Sequence, residues 1–399
     1  MRALTSALAF FFLLGSPAAI QSGKQIVRIG SDLNLPFSPA VKAGKLIYVS
    51  GNLATDEGGK FAGGDIKAQT KRVLDNLGRV LKAAGTRMGN VVSANVFLHN
   101  ASDFQAMNEV YGGYWPKDPP VRTTVVANLA MPEALIEISM IAVPDGGERK
   151  VVHPAGWLKS PSPYSYGIVS GDTLFLSGLI SRNTKDNSMI PGDIKVQTRT
   201  VMESTGEILK SGGMTYADVA SSRVYITDTA MFQEMNATYR TYFPKDPPAR
   251  ATVITPLMNA QAVVEITLLA VKGGVREAMN PPNADGGPAQ PNPNLSAAIR
   301  IGNRLFLSGM LGNDASNKGD ATAQTRGTLA RIARTLKAAG FDWKDVVDGV
   351  VYITDMKNFN AMNTAYREIF AADFPARVSA ETGLVSADAL VEIMFTAVK

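Results

Sequence analysis

Three arginines recur along this chain, Arg122, Arg250 and Arg377, and fifteen positions after each stands a glutamate: Glu137, Glu265 and Glu392. A planar guanidinium grips a carboxylate through two parallel hydrogen bonds, a geometry that lysine does not copy. Each glutamate sits in an apolar, β-branched run ("ALIEISMIAV", "AVVEITLLAV", "ALVEIMFTAV"). An unpaired carboxylate there is costly, so it needs a partner or a raised pKa. Arginine and glutamate on adjacent strands support two readings. One is a buried structural ion pair, which contributes little net stability. The other is a carboxylate-binding cation beside a carboxyl group that holds a water and shuttles protons. Other chemistries are poorly supplied: cysteine is absent and only two histidines occur, His99 and His153. That excludes a thiolate zinc site and a cysteine nucleophile, and leaves no basis for a histidine pair. No metal and no cofactor are expected.

The elements that must hold these residues are themselves written three times. "DIKAQTKRVLDNLGRVLKAAG" from Asp65, "DIKVQTRTVMESTGEILKSGG" from Asp193 and "DATAQTRGTLARIARTLKAAG" from Asp320 predict one helix in three copies, apolar at three- and four-residue spacing. A β-branched strand follows, then a second helix ("FQAMNEVYGGYW", "FQEMNATYRTYF", "FNAMNTAYREIF"), then the arginine strand and the glutamate strand. Aspartate to arginine is 57 positions in all three copies (65 to 122, 193 to 250, 320 to 377). Length changes fall only before that helix, where a loop tolerates them. Each unit opens with a predicted hairpin ending in Ser-Gly. Phe104, Phe232 and Phe359, with a methionine three residues on, are expected in the core. Each unit thus reads β-β-α-β-α-β-β, an α+β layer. The last strand is apolar on both faces, so helices cannot be its only cover. The three sheets are expected to pack centrally on one another, helices outside, as a closed pseudo-trimer.

The Ser-Gly after the hairpin, the Met-Asn of the second helix, the arginine strand and the "VEI" strand, in that order and spacing, resemble the RidA/YjgF family of reactive-intermediate deaminases. The resemblance covers nearly the whole chain, as RidA-like domains at 24–143, 148–271 and 275–399. It implies a chorismate-mutase-like fold with ligand pockets between units. It also implies metal-free hydrolysis of 2-imino acids or their enamines to 2-oxo acids and ammonia. Carried over, the catalytic glutamate is Glu137, Glu265 or Glu392, and the carboxylate-binding arginine is Arg122, Arg250 or Arg377. The pocket asparagine is Asn108, Asn236 or Asn363. The serine and glycine are Ser50 and Gly51, Ser177 and Gly178, Ser308 and Gly309. The family's pocket tyrosine is matched only by Tyr164; Phe37 and Leu295 stand there in the other units. Other classes are a non-catalytic binder of small carboxylates and a ribonuclease- or chaperone-like relative.

The chain has 399 residues and a net charge of +5, with Lys and Arg scattered rather than gathered into a stripe. Nucleic acid is therefore not the expected partner; a small imino or oxo acid is. Residues 1–19 ("MRALTSALAFFFLLGSPAA") read as a signal peptide, with an apolar run too short to span a bilayer. The expected product is an exported, periplasmic or secreted protein, free of the membrane after cleavage, and a monomer acting as an intramolecular trimer.

Overall fold

The computed structural model describes residues 23–30 and 34–399; the signal segment lies outside the described residues. The first unit runs β1 (Gln25–Val27), β2 (Ala40–Ala43), β3 (Leu46–Asn52), α1 (Ile66–Ala83), β4 (Val91–Leu98), α2 (Phe104–Tyr114), β5 (Val121–Val126) and β6 (Ile136–Ala142). The second repeats it as β7 (Lys150–Val152), β8 (Gly167–Ser170), β9 (Thr173–Leu176), α3 (Ile194–Ser211), β10 (Val219–Ile226), α4 (Phe232–Tyr239), β11 (Ala249–Ile254) and β12 (Val264–Val271). The third has β13 (Arg276–Met279), β14 (Ala298–Ile301), β15 (Arg304–Leu307), β16 (Met310–Leu311) and α5 (Ala321–Ala338). It continues with β17 (Val346–Ile353), α6 (Phe359–Ile369), β18 (Ala376–Glu381), β19 (Gly383–Leu384) and β20 (Val391–Val398).

Each sheet has the same order. In the first it is β1-β2-β3-β6-β4-β5, with β4 and β5 parallel and the rest antiparallel. The repeated aspartate is the cap of the first helix: Asp65, Asp193 and Asp320 each accept a hydrogen bond from the backbone N–H three residues on. The frame that fixes the arginine is therefore measured from a helix N-terminus. One face of each sheet is covered by its own two helices. Apolar residues such as Leu74, Leu77 and Leu81 of α1 pack there against Ile136, Ile138 and Met140 of β6.

The opposite face carries the assembly. Phe97, Tyr225 and Tyr352 occupy matching strand positions in the three units and meet in one central cluster with Val125, Val253 and Ala380. Separate clusters fill each seam: Val121 with Phe175, Ala249 with Phe306, and Tyr48 with Ala376. Backbone pairing also crosses units, since β19 of the third unit adds an antiparallel strand to the edge of the second sheet. The ring closes: the third unit docks on the first as the first does on the second. This is the pseudo-trimer with central sheets that the two-sided apolar strands predict.

Two local readings change. A short edge strand (β1, β7, β13) precedes each hairpin. The arginine and glutamate of one unit are not on adjacent strands, because β4 lies between β5 and β6. Arg122 is level with Ala94 on one side of it, and Glu137 is level with Phe97 on the other. An ion pair within one unit is thereby ruled out.

Candidate active sites between the units

Each arginine instead meets the glutamate of the following unit. Glu265 shares its place over Gly178 with Thr123, Glu392 its place over Gly309 with Ala251, and Glu137 its place over Gly51 with Val378, each next to the arginine of the preceding unit, and Arg122 and Glu265 line one cavity. The site is assembled across the seam by repeated hydrogen bonds. Ser177 Oγ accepts from the Arg122 backbone N–H at 2.9 Å and donates to the Ser165 carbonyl at 2.7 Å. The same pair of bonds joins Ser308 to Arg250 and Ser296, and Ser50 to Arg377 and Ser38. The Gly178 N–H donates to the Arg122 carbonyl at 3.0 Å, and the Gly309 N–H to that of Arg250 at 3.1 Å. The serine expected to touch substrate thus spends its donor and one lone pair on holding the arginine strand.

The next residues explain why glycine follows serine. A Cβ at Gly51, Gly178 or Gly309 would overlap Oε1 of Glu137, Glu265 or Glu392. The carboxyl group lies over the glycine, and only a residue without a side chain leaves it room. The glutamate strand is set from the other end by a glutamine four residues after the helix-capping aspartate. Gln197 Oε1 accepts from the Val263 N–H at 3.0 Å and its Nε2 donates to the Gln261 carbonyl at 2.9 Å, two to four residues before Glu265. Gln69 and Gln324 do the same at Leu135 and Leu390.

Entry to the arginine strand is a tight turn with Asp118, Asp246 and Asp373 at φ near +50° (52°, 47° and 49°), a conformation aspartate tolerates better than most residues. A second serine seals it: Ser38, Ser165 and Ser296 donate to the carbonyls of Phe374, Pro119 and Pro247 in the neighbouring unit. The guanidinium then lies over a buried tyrosine of its own second helix. Arg122 is 4.8 Å from the Tyr111 ring, Arg250 4.8 Å from Tyr239, and Arg377 4.7 Å from Tyr366. Desolvated cation–π contacts of this kind are worth about 2 kcal/mol. Phe104 and Phe359, expected in the core, also face the cations, at 5.5 Å from Arg122 and 5.7 Å from Arg377.

No ion pair among the described residues joins any of these arginines to a glutamate. Arg122 Nη1, Arg250 Nε and Nη1, Arg377 Nη2 and Glu137 Oε2 are buried without a protein hydrogen-bond partner. Buried, charged donors that the fold leaves unmatched point to an anion from outside. Burial pushes the Glu137, Glu265 and Glu392 carboxyls up to about 8, against the pull of Arg377, of the Thr124 backbone with Arg122, and of Arg250. Burial also lowers the three arginines from their ordinary value, though a guanidinium stays charged.

Between the first two units the site opens into a cavity of about 240 Å³ lined by Arg122, Thr124, Tyr164, Gly178, Arg182 and Glu265, among others. Tyr164 comes from the second unit, and Arg122 lies 5.9 Å from its ring. Phe37 holds the matching place 5.6 Å from Arg377. The asparagines diverge. Asn236 Oδ1 accepts from Arg250 Nη2 at 2.6 Å, bracing the cation. Asn108 Oδ1 and Asn363 Oδ1 are buried without a protein partner. Thr124, two residues after Arg122, was not singled out in the sequence; its hydroxyl is buried, unpartnered and in the cavity wall. A hydroxyl residue two positions after each arginine (Thr124, Thr252, Ser379) was the available signal.

The comparisons with known proteins fall on the same three units. A 3-aminoacrylate deaminase RutC of Acinetobacter baylyi is 40% identical over 108 residues, 27% of this chain and 86% of its own. A RutC family protein of Sulfurisphaera tokodaii is 41% identical over 115 residues, 29% of this chain and 92% of its own. The solved structure of RidA from an Antarctic Psychrobacter matches at 24% identity and a TM-score of 0.30, covering 31% of this chain and 100% of that one. Each relative spans one unit, and the family model described as Endoribonuclease L-PSP matches residues 31–144, 157–272 and 288–399. With every one of its arginine–glutamate sites shared between two such units, this chain belongs to the endoribonuclease L-PSP (RidA) family as three domains in one polypeptide.

Proposed function

We propose that the chain deaminates reactive 2-imino acids and their enamine tautomers to 2-oxo acids and ammonia at sites between consecutive units. The observation that carries this is a buried cation with free donors facing a carboxyl group that burial keeps protonated near neutrality. The deaminase names of the relatives support the same class of reaction. The arginine takes the substrate carboxylate, and its tyrosine and hydrogen-bonded strand fix the approach. The neutral glutamic acid gives its proton to C3 of the enamine, the carbon next to the one that bears nitrogen, leaving an iminium ion and a carboxylate. A water then adds to the iminium carbon, and the carboxylate takes the proton that water loses. The resulting carbinolamine breaks its C–N bond as a proton passes from oxygen to nitrogen, releasing ammonia and the 2-oxo acid. One carboxyl group serves as acid and then as base, which is how a raised pKa is useful at neutral pH.

The test is release of 2-oxo acid and ammonia from imines generated in situ by an amino-acid oxidase, compared with the oxidase alone. Wild-type protein should accelerate release. Replacement of Arg122, Arg250 and Arg377 together by alanine should abolish it while circular dichroism stays native. Each lost hydrogen bond to a charged group is worth roughly 1.5–3 kcal/mol. Acceleration at the wild-type rate by the triple variant would sink the assignment. Binding of 2-oxo acids without any acceleration would make the protein a carboxylate binder instead.

A further inference from the structure

The cavity between the first and second units holds a second arginine. Arg182 lines the same wall as Arg122, Tyr164 and Glu265. It stands five positions after Ser177, where the other units have Thr55 and Asn313, both uncharged. Its loop is held in place: Arg182 bridges Met189 in β fashion, and its Nη1 donates to the Asn187 carbonyl at 2.8 Å. No ion pair among the described residues uses it. Tyr164 lies within the field of both guanidinium groups. Arg122 and Arg182 are the cations of this cavity, and burial raises the pKa of its one carboxyl group, Glu265. A substrate with a carboxylate at each end can meet one guanidinium with each of them.

We propose that the site between the first and second units takes dicarboxylic 2-imino acids of four or five carbons, with the reacting-end carboxylate on Arg122 and the distal carboxylate on Arg182. This rests on the deaminase reading of the same site. The other two sites have uncharged Thr55 and Asn313 in the place of Arg182, and the Arg367 near Arg377 is held by Asn34 instead, so these sites take monocarboxylates. The chain then handles two classes of imino acid in one molecule.

The experiment compares imines made by D-aspartate oxidase from D-aspartate or D-glutamate with imine made by D-amino-acid oxidase from D-alanine. It uses wild-type protein, Arg182→Gln, whose amide keeps a donor for the Asn187 carbonyl, and Arg182→Lys. In Arg182→Gln the kcat/KM for the dicarboxylic imine, relative to that from D-alanine, should fall about tenfold or more, the scale of one charge-assisted contact. Arg182→Lys should recover part of it. A ratio unchanged within about twofold, against that tenfold scale, overturns the proposal. Calorimetry with 2-oxoglutarate and pyruvate separates the two readings. Arg182-dependent preference for 2-oxoglutarate without turnover of any imine upholds the dicarboxylate site and removes deamination. Turnover of D-alanine imine with no dependence on Arg182 in either measurement keeps deamination and removes the dicarboxylate site.

Discussion

A carboxyl group raised to about 8 leaves a mark on stability as well as on rate. Glu137, Glu265 and Glu392 keep their protons in the folded protein at pH values where an unfolded chain, with an ordinary value of 4.5, has lost them. Raising the pH from the ordinary value of 4.5 towards about 8 therefore favours unfolding, and the loss levels off above 8. Urea denaturation at pH 5, 6.5 and 8 should show that decline, and a Glu137→Gln, Glu265→Gln, Glu392→Gln variant should flatten it. An equally steep decline in the variant would place its origin elsewhere. On the rate side, kcat/KM for an enamine should fall as pH passes about 8, where the acid is lost. Tyr164 supplies the only phenol at its position, so Tyr164→Phe should lower turnover of the dicarboxylic imine, handled at its own site, about five-fold, the worth of one hydrogen bond. Phe37→Tyr and Leu295→Tyr should raise turnover of the monocarboxylic imine at the other two sites. No change in any of the three would make the phenol incidental.

The helices and the longer strands were legible because each is written three times, and the short hairpin strands because a turn glycine joins each pair. Their joint spacing also marked the arginine and glutamate as one constellation. Two things were not legible, for physical reasons. Edge strands of three or four residues, such as Gln25–Val27, are too short to show alternation. Spacing along the chain also cannot reveal that Arg122 and Glu137 straddle a strand, because the chain leaves β5 and crosses to the far side of β4 to form β6. The partner in the next unit was therefore invisible, and so was the true duty of Ser50, Ser177 and Ser308. Gln69, Gln197 and Gln324 were written in plain sight within the "QT" of each first helix. Their long bonds to the glutamate strand exist only once the layers pack. Gln197→Leu should leave the Val263 N–H and the Gln261 carbonyl unmatched, costing about 1–3 kcal/mol. It should also slow turnover at the Glu265 site more than it weakens binding of a 2-oxo acid. If the thermal midpoint and rate are both unchanged, the glutamine does not position the strand.

At the scale of the whole molecule, three covalently joined units satisfy one another's apolar faces, and we propose that the chain is a monomer in solution. Light scattering should give a mass near that of one chain, at most 42.5 kDa. A stable species of three chains would mean that the units close between molecules rather than within one. The polar contacts at the centre also differ by unit. Arg223 donates to Asn95 Oδ1 at 2.7 Å, while the Tyr225 and Tyr352 hydroxyls meet at 3.1 Å. The closing seam has a further consequence, for the ribosome. The hydrogen bond from the Arg377 N–H to Ser50 Oγ spans 327 positions, so its first partner is synthesised long before its last. At about 5–20 residues per second, the face bearing Val41 and Tyr48 waits on the order of 15–65 s for its cover. During that interval the nascent chain presents a ready-made apolar strip to any holding factor that meets it.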